Sequence, residues 1–123
     1  MAQAATLSAD PAPASAAPAI DRAHLAQMTF GDPVLERELL QLFDRQAVLL
    51  MTRMRASDAT VLATLAHTLK GSALGIGANE VARAAVAAEC AATRSSAECL
   101  AALDLLAAAI VVARGEIVEL LAG

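Results

Sequence analysis

The chain has no tryptophan and no tyrosine, and its only phenylalanines are Phe30 and Phe43. A β-sandwich draws on aromatic and β-branched strands, so this scarcity argues for helices instead. Positive charge is also short, with nine Lys plus Arg against thirteen Asp plus Glu, a net charge of −4 and a pI near 5.0. Binding to a nucleic-acid backbone needs a basic face, which this composition does not supply. Only Cys90 and Cys99 carry thiols, without C-x-x-C or histidine partner spacing. They read as two reduced, small core residues of a cytoplasmic protein rather than as a disulfide or metal site. Long apolar runs are lacking too: the longest candidate, Leu105 to Ala113, stops at Arg114, short of the roughly 20 residues of a membrane span, so a soluble protein is expected.

What the chain has in abundance is alanine, which inflates a hydrophobic content of 58%. At 123 residues it can build one core, not two. Residues 1–19 are mostly Ala, Pro and Ser, with prolines at 11, 13 and 18, and read as a disordered tail without the basic start and apolar stretch of a signal peptide. Residues 20–123 form the expected domain.

That domain reads as all-α: an antiparallel up-down four-helix bundle with a short additional N-terminal helix. The short helix covers Ile20 to Phe30, with Asp21 near its start, Gly31 as its stop, and Ile20, Leu25 and Met28 covering one end of the bundle. His24 lies in it without another ligand type nearby and reads as an ordinary surface histidine. Asp32 and Pro33 open a second helix running to about Ala56, with an apolar stripe of Leu35, Leu39, Leu42, Leu49 and Met54, broadened by Phe43, Leu50 and Met51. That width fits a helix touching two neighbours, or one that also offers a docking patch. Ser57 and Asp58 start a third helix ending near Gly75 to Gly77. Asn79 is placed as cap of a fourth, running to about Arg94 along Val81, Ala85, Ala88 and Ala92. Ser95 and Glu98 have capping-box form and open the last, whose expected seam is Leu100, Leu103, Ala107, Ile110, Ile117 and Leu121.

On the third helix Leu62, Leu65, Leu69, Ala73 and Ile76 share one face, and His67 points to the other. Its surroundings are Ala63 at i−4, Gly71 at i+4, Thr60, Thr64 and Leu74, with Lys70 at i+3. A glycine inside a helix costs about 1 kcal/mol relative to alanine, so Gly71 asks for a reason, and steric access to the imidazole, helped by small Ala63, is one. Lys70 is the only lysine in a chain with eight arginines. An imidazole is a nucleophile near neutral pH that needs no separate base, and phosphoryl transfer asks mainly for positioning and charge neutralisation. His67 is therefore the candidate phosphorylated nucleophile, with Lys70 stabilising the phosphoryl oxygens.

The run from His67 to Ala78, H-T-L-K-G-S-A-L-G-I-G-A, resembles the signature of histidine-containing phosphotransfer domains, H-x-L-K-G-S-S followed by a G-A pair. The resemblance extends upstream through Ile20-Asp21, Leu25, Gly31 to Leu35, Glu38 to Leu40 and Phe43, and downstream to Val81 and Glu89, covering about residues 20 to 121. Ala73 departs from the commoner second serine, and Ala84, Ala85 and Ala88 from bulkier residues and a frequent cysteine. The resemblance implies a phosphocarrier, not an enzyme in the usual sense, relaying a phosphoryl group between receiver-domain aspartates. Implied partners are response-regulator receivers and a hybrid histidine kinase; any Mg²⁺ belongs to the receiver, and the chain itself needs no cofactor. Glu89 matches a position whose side chain often lies near the active histidine, although an ordinary surface glutamate is the favoured reading. Monomers are the family expectation.

No Gly-rich phosphate loop between strand and helix occurs, so self-phosphorylation is not expected. Two other readings stay open. One is a receiver-docking module without transfer, in which His67 and Lys70 are a solvated polar face. The other is a sensor-kinase dimerisation helix, but Gly71-Ser72 stands where such helices have Thr/Asn-Pro, and no ATP-binding domain follows.

Overall fold

In the computed structural model the described residues are 18–123; positions 1–17 of the expected tail lie outside them. Five α-helices and no strand occur among the described residues: α1 (Arg22–Met28), α2 (Pro33–Arg55), α3 (Ala59–Ile76), α4 (Asn79–Ala91) and α5 (Ser96–Ala122). Most of the helix starts follow from the sequence. Asp32 accepts from the backbone N–H groups of Val34 and Leu35 ahead of Pro33, Asp58 accepts from Val61, and Ser95 from Glu98. Each such cap contributes about 1 kcal/mol by satisfying amides that have no partner within the helix.

Two expected caps differ. Asn79 is the first residue of α4 rather than its cap; the cap is Ala78, with no side-chain hydrogen bond. Ala78 is fully buried and donates its N–H to Ala73, so the turn after α3 is too short and too enclosed to leave Asn79 outside the helix. Glu98 does not return the Ser95 bond; its carboxylate is drawn to Arg94 at 3.6 Å. The fourth helix also ends earlier than expected, at Ala91, where Arg94 N–H turns back onto the Ala91 carbonyl.

The ring of packing contacts is closed. α3 lies against α2 and α4, α5 lies against the same two helices, and α1 rests on α3. Between α2 and α5 the polar contacts run in reverse order: Arg37 donates to the Leu121 carbonyl (2.8 Å), Arg114 to Asp44 (2.7 Å) and Arg55 to Asp104 (3.1 Å).

The interior is filled as expected by Leu62, Leu65, Leu69, Ala73 and Ile76 of α3 and by Val81, Ala85, Ala88 and Ala92 from α4 and its C-cap. The stripe of α2 is rotated from expectation. Leu40, Phe43, Ala47, Leu50 and Met54 face inward, whereas Leu42 and Leu49 lie more than half exposed. Alternating steps of three and four residues link the inward set, and Ala47, which carries little hydrophobic weight, is the member that completes it. On α5 the inward file is Leu103, Leu106, Ile110, Ala113 and Ile117, and Leu100 is at the surface. α5 also corrects the reading of apolar runs. As one 27-residue helix it is long and apolar enough to cross a membrane by length and composition, because the apolar run continues upstream of Leu105, where residues 96–113 carry only Glu98 and Asp104 as charges.

The chain enters beside the α3–α4 turn. Ala19 and Ile20 donate their N–H groups to the Glu116 carboxylate, Ile20 is fully buried, and Asp21 N–H bonds to the Gly77 carbonyl at 2.8 Å. Leu25 is buried with Ile20, whereas Met28 is half exposed. Gly77 adopts φ +78°, and a Cβ there would stand 2.7 Å from the Asp21 carbonyl oxygen. Gly31 has a similar φ of +73° with open space around it. Gly77→Ala should therefore lower unfolding stability by about 2–3 kcal/mol and Gly31→Ala by about 1 kcal/mol, read from urea denaturation midpoints.

Candidate functional site

His67 sits mid-way along α3, where the leucine stripe that anchors the helix forces the opposite face outward. Its side chain is 63% exposed. Nδ1 lies 3.3 and 3.4 Å from the two carboxylate oxygens of Glu89, a loose forked contact from α4. A carboxylate at Nδ1 favours the tautomer with the proton there, which leaves the Nε2 lone pair free. Nε2 has no hydrogen-bond partner among the described residues.

Glu89 reaches this position because of what precedes it. Ala85 and Ala88 are fully buried, so α4 presents methyl groups to its neighbours and no side chain holds the helices apart. Glu89, next around the helix, then falls at the edge facing His67. The sequence left its role open, and the geometry brings the two side chains together.

The remaining site residues surround the ring as the helix dictates. Ala63 is half-buried and packs against the core, and Thr64 and Thr68 are exposed with their hydroxyls donating to the carbonyls of Thr60 and Thr64. Leu74 is 46% exposed one turn beyond Lys70. Lys70 makes no ion pair among the described residues, so its ammonium is available to an anion near His67. At Gly71 and Gly75 an added Cβ would meet nothing within 4 Å. Neither glycine is required by the protein's own packing, and both leave the surface beside the imidazole low.

That low surface leads into a groove the sequence reading did not delineate. Leu39, Leu42 and Gln46 of α2 face Ser72, Gly75 and Ile76 of α3 across it. The broad apolar face of the second helix was its trace in the sequence, and alternation alone could not separate Leu42 from the core stripe.

Residues 34–113 match the Hpt domain family. The chain belongs to that family. The matched stretch is narrower than the resemblance from about 20 to 121, because α1 and the end of α5 fall outside it. Among solved structures, a rice protein described as a candidate histidine-containing phosphotransfer protein aligns with this Hpt domain at a TM-score of 0.76, over 85% of this chain and 80% of its own, at 18% identity. The likeness is one of fold. No curated protein matches the chain.

Outside the matched stretch, His24 lies on α1 and uses its backbone N–H, not its ring, to bond Asp21. Among the described residues no group of three or more His, Cys, Asp or Glu side chains converges on one point. Cys99 is half-buried against the core, whereas Cys90 is exposed and so lies outside the expected core; α4 turns its alanines inward and leaves Cys90 on the outer side.

The Glu89 contact can be read directly. Glu89→Gln should shift the His67 ring toward a mixture of tautomers, seen as convergence of its two ¹⁵N chemical shifts, with a stability change below about 1 kcal/mol because the contact is exposed.

Proposed function

We propose that this protein carries a phosphoryl group on Nε2 of His67 and relays it between the aspartates of receiver domains in a two-component phosphorelay. The supporting observation is the exposed imidazole with Nδ1 against Glu89 and an open flank over Gly71 and Gly75. In the forward step the Nε2 lone pair attacks the phosphorus of an aspartyl phosphate. An N–P bond forms as the P–O bond breaks, and the aspartate leaves as a carboxylate with its electron pair. The ring keeps its Nδ1 proton and becomes cationic, a charge that the Glu89 carboxylate offsets. The reverse step returns the phosphoryl group to a second aspartate by the same bonds. Lys70 steadies the phosphoryl oxygens as charge moves between them.

In this reading the four long helices form an antiparallel up-down bundle whose task is to keep the ring in solvent. The reverse-ordered α2–α5 contacts support that arrangement. The groove between α2 and α3 gives an apolar seat for a receiver next to the imidazole. The chain acts as a carrier rather than an enzyme; the Mg²⁺ that the aspartyl phosphate needs is held by the receiver. A hybrid histidine kinase upstream and a response regulator downstream are the fitting partners, and the cytoplasm is the fitting compartment.

Incubation with a phosphorylated receiver should label the protein at an acid-labile, base-stable site, and His67→Gln should abolish the label without changing helicity. Receiver binding without labelling would instead support the docking module, and labelling by ATP alone would support a kinase fragment. Lys70→Ala should slow transfer about five- to tenfold, the size expected for one solvated charge at the site, while the thermal midpoint stays within about 2 °C. Gly71→Leu, which adds bulk beside the ring without touching the core, should slow transfer more than Lys70→Ala and leave the fold at least as stable.

A further inference from the structure

The turn between α1 and α2 holds a side chain that neither the fold nor the site accounts for. α1 ends in a Schellman motif: beyond the C-cap Thr29, Phe30 donates its N–H to the Gln27 carbonyl (3.4 Å) and Gly31 donates to the Ala26 carbonyl (2.9 Å). The left-handed position of that motif, ordinarily a glycine, is taken by Phe30 at φ +55°. A bulky residue is strained in this conformation, because its Cβ crowds the following carbonyl. No packing within the described chain offsets the strain, since Phe30 is 93% exposed, whereas Phe43, the other aromatic residue, is buried. The turn is nevertheless held firmly. Thr29 is fully buried, its hydroxyl donates to the Leu25 carbonyl at 2.8 Å, and the Asp32 N–H bonds back to the Thr29 carbonyl at 3.0 Å. Strain kept in place by such surroundings concentrates where a chain meets a ligand or partner.

Met28, two residues before Phe30, lines the groove between α2 and α3 with Leu39, Leu42 and Ile76. Val34, on the first turn of α2, is exposed just after the turn. Phe30 therefore stands at the end of the groove remote from His67, because Ile76 lies nine residues, about 14 Å, further along α3 than the imidazole. We propose that Phe30 is the apolar anchor that selects the receiver: its ring enters an apolar pocket of a receiver domain seated on the groove with its aspartate facing His67. This inference rests on the phosphotransfer reading and names the residue that decides which receivers dock.

The receiver is the occupant that the surface fits. Phe30 continues the groove already placed beside the imidazole, for Met28, Val34 and Leu42 around it are each about half exposed or more. A standard interface of roughly 800 Å² per partner is about 30 Å across, so one domain touching both His67 and the groove has room to cover the turn. A phenyl ring on a fixed backbone has two torsions left to lose, which keeps the entropic cost of docking low. A second copy of the chain on this surface would instead cover the flank of the imidazole and keep the phosphoryl donor out.

Titration calorimetry of the full chain with each unphosphorylated receiver domain of the source organism measures docking without chemistry. At least one receiver should bind the wild type; Phe30→Gly should raise its Kd by about tenfold or more, and Phe30→Tyr should hold it within about threefold. Phe30→Gly should also raise the thermal midpoint by about 2–5 °C, because glycine adopts the left-handed turn without strain, and Phe30→Asn should shift both quantities in the same directions. With the phosphorylated receiver as donor, Phe30→Gly should raise the half-saturating concentration and leave the saturating rate of labelling within about twofold. Unchanged receiver affinity in Phe30→Gly would overturn the proposal, as would a lowered thermal midpoint or an effect confined to the saturating rate. So would binding by no receiver, a wild-type chain that self-associates and is dispersed by Phe30→Gly, or a dependence on Phe30 that emerges only after residues 1–17 are removed. A receiver that binds through Phe30 but never labels His67 would uphold the anchor and overturn the phosphotransfer reading instead.

Discussion

The site depends on how closely α4 can lie against its neighbours. Alanine at positions 85 and 88 leaves nothing taller than a methyl group at the contact, and that approach brings the Glu89 carboxylate within reach of the His67 ring. A bulkier residue at either position would push the helix outward by an ångström or more and lose a contact that is already loose. The alanines contribute little buried area each, so cohesion falls to the leucine and isoleucine files of α2, α3 and α5. Holding the site in place and holding the fold together are thus assigned to different residues.

The same separation runs through α3. Leu62, Leu65 and Leu69 are buried so completely that the opposite face has no packing role, and the residues there are free to be chosen for chemistry. Gly71 and Gly75 show this most plainly, since neither has a neighbour that an added methyl group would disturb. Gly77 is the contrast. It too is a glycine at the end of the same motif, yet its left-handed backbone and its contact with Asp21 make it a structural requirement. One short run of sequence therefore holds two kinds of glycine, one serving access and one serving the turn. The family's G-A pair belongs to the second kind: Ala78 follows it into the core and closes the connection to α4.

Helix identity and most helix starts were legible because their causes are local. Asp32 with Pro33, Asp58 and Ser95 act on amides within three residues, and the α3 stripe repeats with one period and few competitors. Where two apolar files overlapped, as on α2 and α5, the pattern did not fix the phase. Leu42 and Leu100 looked as apolar as Leu40 and Leu103, and only the position of neighbouring helices separates them. Alanine added to this, because Ala47 and Ala113 are core residues whose hydrophobic weight in a sequence is small. The Asn79 cap failed for a related reason: the turn before it is closed by the burial of Ala78 and the approach of Asp21, neither of which is local to Asn79.

By itself the sequence determined that the protein is helical, that His67 lies opposite a leucine stripe with Lys70 and Gly71 beside it, and that the H-x-L-K-G-S run resembles a phosphotransfer signature. Those features depend on spacing along one helix, which chain order encodes directly. Only the tertiary structure decided that Glu89 meets Nδ1, that Leu42 borders a groove near the imidazole, and that one side of α5 is left uncovered. Each of these depends on the distance and rotation between helices, quantities set by the packing of many small side chains at once rather than by any one residue's position in the chain.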